Sequence, residues 1–294
     1  MVPGSLSWLK TGSETSLGWG TMTWSGSDMA WSSIDQQGRM NLATGIQTQL
    51  WREPSRGSVR YPHMPSIRNP RKEFDREART YDETATATMP LYSELHQMIV
   101  WGAPHLRTRP IRILELGSGT GNLTALLLET FPHAHVKALD ISPTMVSISR
   151  KKLRRWSDRL EIHVGELDDW PESQPLDAIV SCLAIHHLKD DRKEALFAKI
   201  HRSLRPGGYF GDGDDHLPED SRFDERFAAL ANRLTTAGKG RDNPLAIQKV
   251  WHEHELYDYP VPVSREIEWL RSAGFLHVDT PWRFFNQAVV WAYK

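Results

Sequence analysis

The sequence predicts an α/β protein with a doubly wound, mostly parallel sheet and an antiparallel C-terminal edge strand. From Ile113 onward, strand-like runs alternate with helical runs, which is typical of a parallel sheet covered on both faces. A glycine-rich turn joins the first of these strands to its helix in the stretch ILELGSGTGNLT. The last residues, HVDTPWRFFNQAVVWAYK, contain two β-like runs around Asn286 and Gln287 that can pair antiparallel at one edge.

Length and composition limit the class of protein. A chain of 294 residues can bury a full α/β core, and a net charge of −1 gives no general basic field for nucleic acid, which is disfavoured as a partner. Cys182 is the single cysteine, which excludes an internal disulfide and a zinc site built from several thiolates. Without an apolar run of about 18 residues, we expect no membrane partner and a soluble, cytoplasmic protein.

Residues 1–70 differ in composition from the rest of the chain. They are rich in Gly, Ser and Thr, yet they contain Trp19, Trp24 and Trp31, whereas a disordered tail is poor in aromatic residues. We therefore expect this extension to pack on the domain formed by residues 71–294 or on a second chain, as a lid or as the arm of a homodimer. The alternative is a flexible extension without a role.

The glycine-rich turn is the first candidate binding site. Gly117, Gly119 and Gly121 allow backbone angles closed to other residues and let a ligand approach closely. The helix that begins at Asn122 directs its free N–H groups to the turn, which favours a carboxylate, phosphate or ribose. A dinucleotide fingerprint needs glycine at position 122, so Asn122 disfavours NAD.

The next two strands end on acidic residues that suit a nucleoside. HVKALDIS contains Asp140, 19 residues beyond Gly121, where a carboxylate can accept both hydroxyls of a ribose. LEIHVGEL leads to Glu166 and Asp168, which can accept from an exocyclic amine, while the N–H of Leu167 can donate to a ring nitrogen. Together these groups describe an adenine site.

In this order, the motifs resemble those of the class I S-adenosylmethionine-dependent methyltransferases that act on small molecules. The motif E/D-x-G-x-G-x-G is complete from Glu115 to Gly121, and LDAIVSCLAIHHL and LRPGGYFGDGDD also match. The resemblance covers about residues 74–294 and extends to the carboxy-S-adenosylmethionine synthase group. It implies a seven-stranded, Rossmann-like methyltransferase domain over residues 71–294, with S-adenosyl-L-methionine as cofactor.

The resemblance also implies the cofactor contacts. Tyr81, in the lid-like stretch FDREARTYDETATATMP, would contact the methionine carboxylate, or else serve only as an aromatic packing residue. Family members usually have Asp where Glu166 stands, and Asp168 is the alternative. The implied contact residues are Tyr81, Glu115, Gly117, Gly119, Gly121, Asp140, Ile141, Met145, Glu166, Leu167 and Ser181.

Few catalytic residues are expected, because methyl transfer depends mainly on alignment of the reactants. An oxygen or nitrogen nucleophile can still need a base, and histidine has the side-chain pKa nearest neutrality. His187 and His186 follow the fourth strand, where family members often present groups to the substrate, and we select them as candidate bases. A purely structural loop is the alternative.

Two further stretches are candidates for substrate or metal binding. GDGDDH clusters Asp212, Asp214, Asp215 and His216, which could hold a divalent metal, although a solvated turn is the favoured interpretation. WHEHELYDYP places His252 and His254 among aromatic residues where the family caps its substrate pocket; a packing loop is the alternative. No metal is assigned. The predicted substrate contacts are His216, Trp251, His254 and Tyr257.

The predicted function is methyl transfer from S-adenosyl-L-methionine to a small-molecule acceptor, which the many aromatic residues suggest is apolar or aromatic. One alternative is a carboxy-S-adenosylmethionine synthase, or a tRNA-wobble-related transferase that uses its product. In the synthase, Arg241 or Lys249 would pair with the additional carboxylate. Another alternative is a protein that binds S-adenosylmethionine without turnover.

Overall fold

The computed structural model describes residues 70–89, 91–103, 108–171, 174–223, 226 and 258–294, and the backbone of four strands between residues 6 and 42. The chain divides into two compact units, Met1–Ser58 and Val59–Lys294. The change in composition along the sequence predicts a boundary near residue 70. None of the helices among the described residues contains an apolar stretch that could span a bilayer.

The smaller unit contains a four-stranded antiparallel sheet, in the order β1-β2-β3-β4. Its strands are β1 (Leu6–Trp8), β2 (Trp19–Ser25), β3 (Asp28–Ile34) and β4 (Met40–Leu42). The longest pairing runs from Trp19 opposite Ile34 to Ser25 opposite Asp28. Thr, Trp and Ile favour strands, but the Gly and Ser residues among them obscured this signal in the sequence. The composition of residues 1–70 predicts a packed extension but does not predict a sheet.

The larger unit alternates helices and strands along the chain. Before the sheet come α1 (Pro70–Glu77), α2 (Tyr81–Thr88) and α3 (Tyr92–Trp101). The first half of the strand-helix alternation consists of β5 (Ile111–Leu116), α4 (Asn122–Thr130), β6 (Ala134–Asp140), α5 (Pro143–Lys152) and β7 (Leu160–Val164). The second half consists of β8 (Leu176–Cys182), α6 (Asp190–Ser203), β9 (Leu204–Asp215), α7 (Val263–Ser272), β10 (His277–Phe284) and β11 (Gln287–Tyr293). Short 3₁₀ turns cover Arg154–Trp156, Ile185–His187 and Ser221–Phe223.

The seven-stranded sheet has the order β10-β11-β9-β8-β5-β6-β7. The five strands from β5 to β9 are parallel, and β11 runs antiparallel to both β9 and β10. This confirms the predicted doubly wound, mostly parallel sheet with an antiparallel C-terminal pair at one edge, where β10 is outermost. The strand order reverses between β5 and β8, so a ligand is expected beyond the carboxyl ends of these strands.

Apolar side chains cover both faces of this sheet. On one face, the core residues come from the strands and from α6 and α7: Leu114, Leu116, Ile179, Phe210, Val290, Phe197, Trp269 and Leu270. On the other face, they come from the strands and from α3 and α4: Ile111, Ile113, Val136, Val180, Tyr209, Leu95, Ile99, Leu123 and Leu127. Successive strand residues thus pack on opposite faces, and helices cover both.

The expected solvated turn at GDGDDH is wrong. β9 continues to Asp215, and Asp212 and Asp214 are only 1% and 2% exposed. The reason is the C-terminal strand β11, which pairs with β9 over this stretch, with Ala288 opposite Asp214 and Val290 opposite Asp212. The acidic residues therefore lie inside the protein, where their charges need compensation.

Candidate active site

The glycine-rich turn after β5 has a left-handed backbone at each of its three glycines. Their φ angles are +70° at Gly117, +53° at Gly119 and +88° at Gly121. A Cβ atom at Gly117 would lie 2.3 Å from the Cβ of Ala184, whereas a Cβ at Gly119 would have no atom within 4 Å. The turn is therefore closed at Gly117 and open above Gly119, where a ligand has room.

Asp140, at the end of β6, is bound to this turn. Its Oδ2 accepts a hydrogen bond from the N–H of Gly119 at 2.7 Å, and its Oδ1 accepts from the N–H of Ser142 at 2.8 Å. Burial raises the pKa of Asp140, while the two N–H groups oppose that shift. Each oxygen can accept a further hydrogen bond. The carboxylate is thus fixed beside the open position, as a ribose acceptor would need to be.

Glu115, at the end of β5, faces α4. It is 1% exposed, and its Oε2 accepts a hydrogen bond from Thr124 Oγ1 at 2.6 Å. Burial raises the pKa of Glu115 to about 8. Its carboxyl group is therefore largely protonated at neutral pH and connects the strand to the helix beneath the turn.

The predicted adenine-edge residues lie after β7. A Cβ atom at Gly117 would be 3.6 Å from Leu167 Cδ2, so Leu167 borders the turn. The carboxylates of Glu166 and Asp168 are directed to the guanidinium group of Arg192, at 3.6 and 3.0 Å. If either carboxylate accepts a hydrogen bond from the amine of an adenine, that bond would therefore be made in addition to, or in place of, the contact with Arg192.

The remaining predicted cofactor residues come from α5, β8 and the loop after β6. Met145 is buried in the first turn of α5, and its N–H donates to the N-cap Ser142 Oγ at 3.1 Å. Ile141, between Asp140 and this cap, is partly exposed. Ser181 is fully buried in β8. Of the three, only Ile141 is not buried.

Helix α1 is attached to the start of α5. Asp75 Oδ1 accepts hydrogen bonds from Ser142 Oγ at 2.5 Å and from the N–H of Thr144 at 3.1 Å. The Ser142 hydroxyl lowers the pKa of Asp75, so the carboxylate stays charged at the positive end of α5. This contact holds α1 next to Asp140.

Helix α2 is attached to the start of α4. The carboxylate of Asp82 accepts hydrogen bonds from Thr120 Oγ1, from Asn122 Nδ2 at 3.0 Å and from Lys152 Nζ at 2.9 Å. The preceding residue, Tyr81, lies among Tyr92, Cys182 and Asp140, and burial raises its pKa well above the ordinary tyrosine value. The predicted lid helix is therefore seated over the glycine turn, with the Tyr81 phenol on its inner side.

His186, in the 3₁₀ turn after β8, forms a buried ion pair. Its Nδ1 contacts Asp214 Oδ1, and its backbone N–H donates to Asp214 Oδ2 at 2.8 Å. Burial would lower the pKa of His186, but the charges of Asp214 and Asp258 raise it to about 9. The charge of His186 in turn holds the pKa of Asp214 below its usual range, against the effect of burial. His186 is therefore a fixed cation.

His187 has a different partner and the opposite shift. Its Nδ1 lies 2.7 Å from Asp258 Oδ1, and its ring is 5.0 Å from that of Phe74 in α1. Burial and the charge of His186 lower the pKa of His187, and Asp258 opposes only part of this. His187 is therefore neutral at neutral pH, as a general base must be.

The same groups form a candidate metal set. Ligand atoms of His186, His187 and Asp258 all lie within 4.8 Å of one another. Two histidines and one carboxylate can bind several transition metals. This set, found among the described residues, is not the one that the sequence suggested. The sequence suggested the acidic residues and the histidine from Asp212 to His216 as metal ligands.

His216 is buried between β9 and α7. Its Nδ1 lies 3.0 Å from the backbone oxygen of Asp214, and its Nε2 lies 3.1 Å from Glu266 Oε2. Burial would lower its pKa, but the hydrogen bond and charge of Glu266 raise it. A direct substrate contact, as predicted from the sequence, would require one of these hydrogen bonds to break.

Comparison with known proteins identifies the family. Residues 113–208 match the family described as "Methyltransferase domain". An uncharacterized methyltransferase of Oceanobacillus iheyensis is 32% identical over 173 residues, which is 55% of this chain and 76% of that relative. The chain belongs to the class I S-adenosylmethionine-dependent methyltransferases. S-Adenosylmethionine is the cofactor of that family, and the open turn at Gly119 with Asp140 beside it suits this cofactor.

Other methyltransferase relatives differ in coverage. A carboxy-S-adenosyl-L-methionine synthase of Campylobacter lari is 21% identical over 223 residues, or 76% of this chain and 94% of that protein. The chain also matches malonyl-[acyl-carrier protein] O-methyltransferases, but it spans only about half of their length. With the one from Priestia megaterium, the identity is 30% and the match covers 52% of that protein. The N-methyltransferase NodS of Bradyrhizobium japonicum, solved with S-adenosylhomocysteine, has a TM-score of 0.54 at 16% identity, over 77% of this chain and 99% of NodS. That likeness shows the fold.

The structure brings together the glycine turn, Asp140, Leu167 and Tyr81. It adds Asp75, Asp82 and Asp258, which the sequence analysis missed because their partners lie 67, 38 and 71 residues away along the chain. The only sequence signal for Asp258 was its place in WHEHELYDYP, beside the named aromatic residues. The candidates that fall outside the described residues are Arg241, Lys249, Trp251, His252, His254 and Tyr257.

Proposed function

We propose that this protein transfers the methyl group of S-adenosylmethionine to a small-molecule acceptor that is apolar or aromatic. The observation that carries the proposal is the turn that is open at Gly119 and fixed by the hydrogen bond from its N–H to Asp140. Asp140 would hold the ribose hydroxyls, Leu167 would border the adenine, and Tyr81 would close the methionine end. We also infer a cytoplasmic location.

For the acceptor, we propose a site at the turn that carries His186 and His187. This turn adjoins the cofactor site, because Ala184 packs against Gly117. Of the two histidines, His187 would remove a proton from the acceptor, because His186 is held as a cation by Asp214. Residues 251–257 and the extension of residues 1–70 would help close the pocket. When bound, S-adenosylmethionine supplies a methyl group already activated by its sulfonium, so alignment is the main task of the protein.

A second candidate function is the synthesis or use of carboxy-S-adenosylmethionine. This candidate is supported by the extent of the match to the Campylobacter lari synthase, which covers 94% of that protein. A bound carboxymethyl cofactor would need a cation for its additional carboxylate, for which Arg241 or Lys249 are the candidates.

Mass spectrometry of the small molecules retained through purification tests both candidates. We expect S-adenosylmethionine or S-adenosylhomocysteine; carboxy-S-adenosylmethionine would support the second function instead. An assay for S-adenosylhomocysteine with a metabolite panel then tests catalysis, and no turnover despite tight cofactor binding would indicate a sensor. The same assay on protein that lacks residues 1–58 tests the arm, because full activity would exclude a role in closure.

A further inference from the structure

A cavity of about 320 Å³ lies at the amino ends of the sheet strands, away from the glycine turn. Its lining comes from the starts of β5, β6, β8 and β9 and from the residues just before β5 and β8. β5 has six residues and rises about 3.3 Å per residue, so its two ends are roughly 17 Å apart. The cavity has the volume of a small-molecule site and is separate from the proposed cofactor site.

Positive charge dominates the lining of this cavity. Three arginines contribute to it, Arg109, Arg112 and Arg205. Asp177 is the one carboxylate among the described residues that line it, and His135 is the other titratable group. Guanidinium groups stay protonated in proteins. Three guanidinium charges against one carboxylate charge therefore leave a surplus of two positive charges, before any contribution from His135.

Asp177 holds two of the arginines in place. Its Oδ1 lies 3.1 Å from Arg109 Nη2 and 2.9 Å from Arg205 Nη1, and its Oδ2 accepts a hydrogen bond from the backbone N–H of Arg112 at 2.8 Å. The Asp177 side chain is 10% exposed, whereas those of Arg109 and Arg205 are 38% and 32% exposed. A buried acid thus fixes guanidinium groups whose surface remains partly accessible to a ligand.

Arg112 supplies a third guanidinium group, for which the described residues provide no carboxylate partner. Its Nη1 donates to the amide oxygen of Gln174, which has no charge, and the residue is exposed. Arg205 Nε is buried and has no hydrogen-bond partner among the described residues. Because a guanidinium group has five N–H donors, the three arginines retain donors for a further acceptor.

The charge and shape of this lining suit a phosphate monoester. Such a group carries a charge of about −1.5 to −2 near pH 7, which balances the surplus of two positive charges, whereas a carboxylate would balance half of it. Its oxygens can accept paired hydrogen bonds from the fork-shaped guanidinium groups. Pro110 and Pro175 are exposed and also line the cavity, where they offer apolar contacts to an organic group.

We propose that this cavity binds a small organic phosphate monoester. Arg109, Arg112 and Arg205 hold the phosphate group, and the two prolines contact the organic group. Asp177 does not touch the ligand in this arrangement and serves as a positioning residue for Arg109 and Arg205. The site is independent of the proposed methyl transfer, because it lies at the other end of the strands. It gives the protein a second ligand besides the proposed cofactor and acceptor.

Titration calorimetry of the full chain with phenyl phosphate tests the site. We expect one phenyl phosphate per chain, with an affinity that falls as the salt concentration rises. The affinity should exceed that for inorganic phosphate, because the phenyl ring adds apolar contacts. Benzoate has the same ring and a single negative charge, and it should bind at least about tenfold more weakly. The affinity for phenyl phosphate should be the same with and without saturating S-adenosylhomocysteine.

Arg112→Gln is the first variant, because it keeps the backbone N–H on Asp177 and leaves the contacts of Arg109 and Arg205 in place. It should weaken phenyl phosphate binding by about ten- to a hundredfold, the range for hydrogen bonds to a charged group. Arg271→Gln is the matched control, since this arginine of α7 is exposed and does not line the cavity. It removes the same charge and should leave the affinity within about twofold.

Several results would overturn the site. They are the absence of saturable phenyl phosphate binding at millimolar concentration in low salt, an unchanged affinity in Arg112→Gln, an equal loss in Arg271→Gln, and competition with S-adenosylhomocysteine. Benzoate that binds as tightly as phenyl phosphate would overturn the phosphate group, and inorganic phosphate that binds as tightly would overturn the organic group.

Thermal unfolding of each variant, followed by circular dichroism, shows whether it folds. If Arg112→Gln does not fold, Arg112→Lys provides the same measurement, because it keeps the charge and removes the fork of N–H donors. Arg112→Lys should still weaken phenyl phosphate binding severalfold, and an unchanged affinity would overturn the paired hydrogen bonds. Calorimetry with S-adenosylmethionine on the same variants should give the wild-type affinity, so failure of this site and failure of the proposed function are distinguishable.

Discussion

At the carboxyl edge of the sheet, the ends of β5 and β6 hold their polar groups differently from the ends of β8 and β9. Around β6, Asp140 is compensated by backbone N–H groups of Gly119 and Ser142. Around β8, the carboxylates pair with imidazoles: Asp214 with the charged His186, and Asp258 with the neutral His187. The first region is a rigid hydrogen-bonding surface, whereas the state of the second depends on protonation.

In the second region, the pKa values of two adjacent histidines are shifted in opposite directions. The pKa of His186 is raised to about 9 because two carboxylates outweigh its burial. The pKa of His187 is lowered because burial and its charged neighbour outweigh Asp258. The two residues are adjacent and of the same type, so the difference arises from what surrounds each ring: the carboxylates Asp214 and Asp258 at His186, and burial next to the charged His186 at His187.

The largest expected effect concerns the His186–Asp214 pair. Asp214→Asn leaves a buried imidazole without its counter-charge, which should lower the free energy of unfolding by about 3 to 5 kcal/mol. Because the folded pKa of His186 is raised, its contribution is complete below about pH 6.5 and is lost as the pH rises through about 9. The difference between variant and wild type should therefore shrink toward alkaline pH.

Urea unfolding from pH 5 to 9 measures this effect, with the exposed Asp191→Asn as control. If Asp214→Asn lowers the free energy of unfolding by less than about 1 kcal/mol, or by an amount that does not depend on pH, the His186–Asp214 contact does not act as a buried ion pair. The polar groups of the two regions would then not differ in how they depend on protonation.

A smaller effect is expected in the first region. Asp140→Ala removes the proposed acceptor of two ribose hydroxyls, which should weaken S-adenosylmethionine binding by about 1.5 to 3 kcal/mol, or roughly ten- to a hundredfold. Titration calorimetry measures it, and the affinity should not depend on the protonation of His186. Weakened NAD binding with unchanged S-adenosylmethionine binding would assign the site to a different cofactor.

The same comparison shows what the sequence can predict. The turn from Glu115 to Gly121 and the strand end at Asp140 lie within one strand-helix-strand unit, so local pattern and spacing are enough to locate them. Asp258 and His187 are 71 residues apart and meet only because the segment before α7 binds back to the turn after β8. The burial of Asp212 likewise depends on β11, which comes from the end of the chain.

Calorimetry with Gly119→Val tests most directly whether the open space above Gly119 holds S-adenosylmethionine. Gly207→Val is the matched control, because Gly207 also has a left-handed backbone, with φ at +71°, and open space around its Cβ position, but lies near the start of β9. Both variants should carry similar backbone strain. We predict that Gly119→Val weakens S-adenosylmethionine binding by more than about a hundredfold while Gly207→Val retains it. Unchanged affinity in Gly119→Val would show that S-adenosylmethionine does not occupy this space.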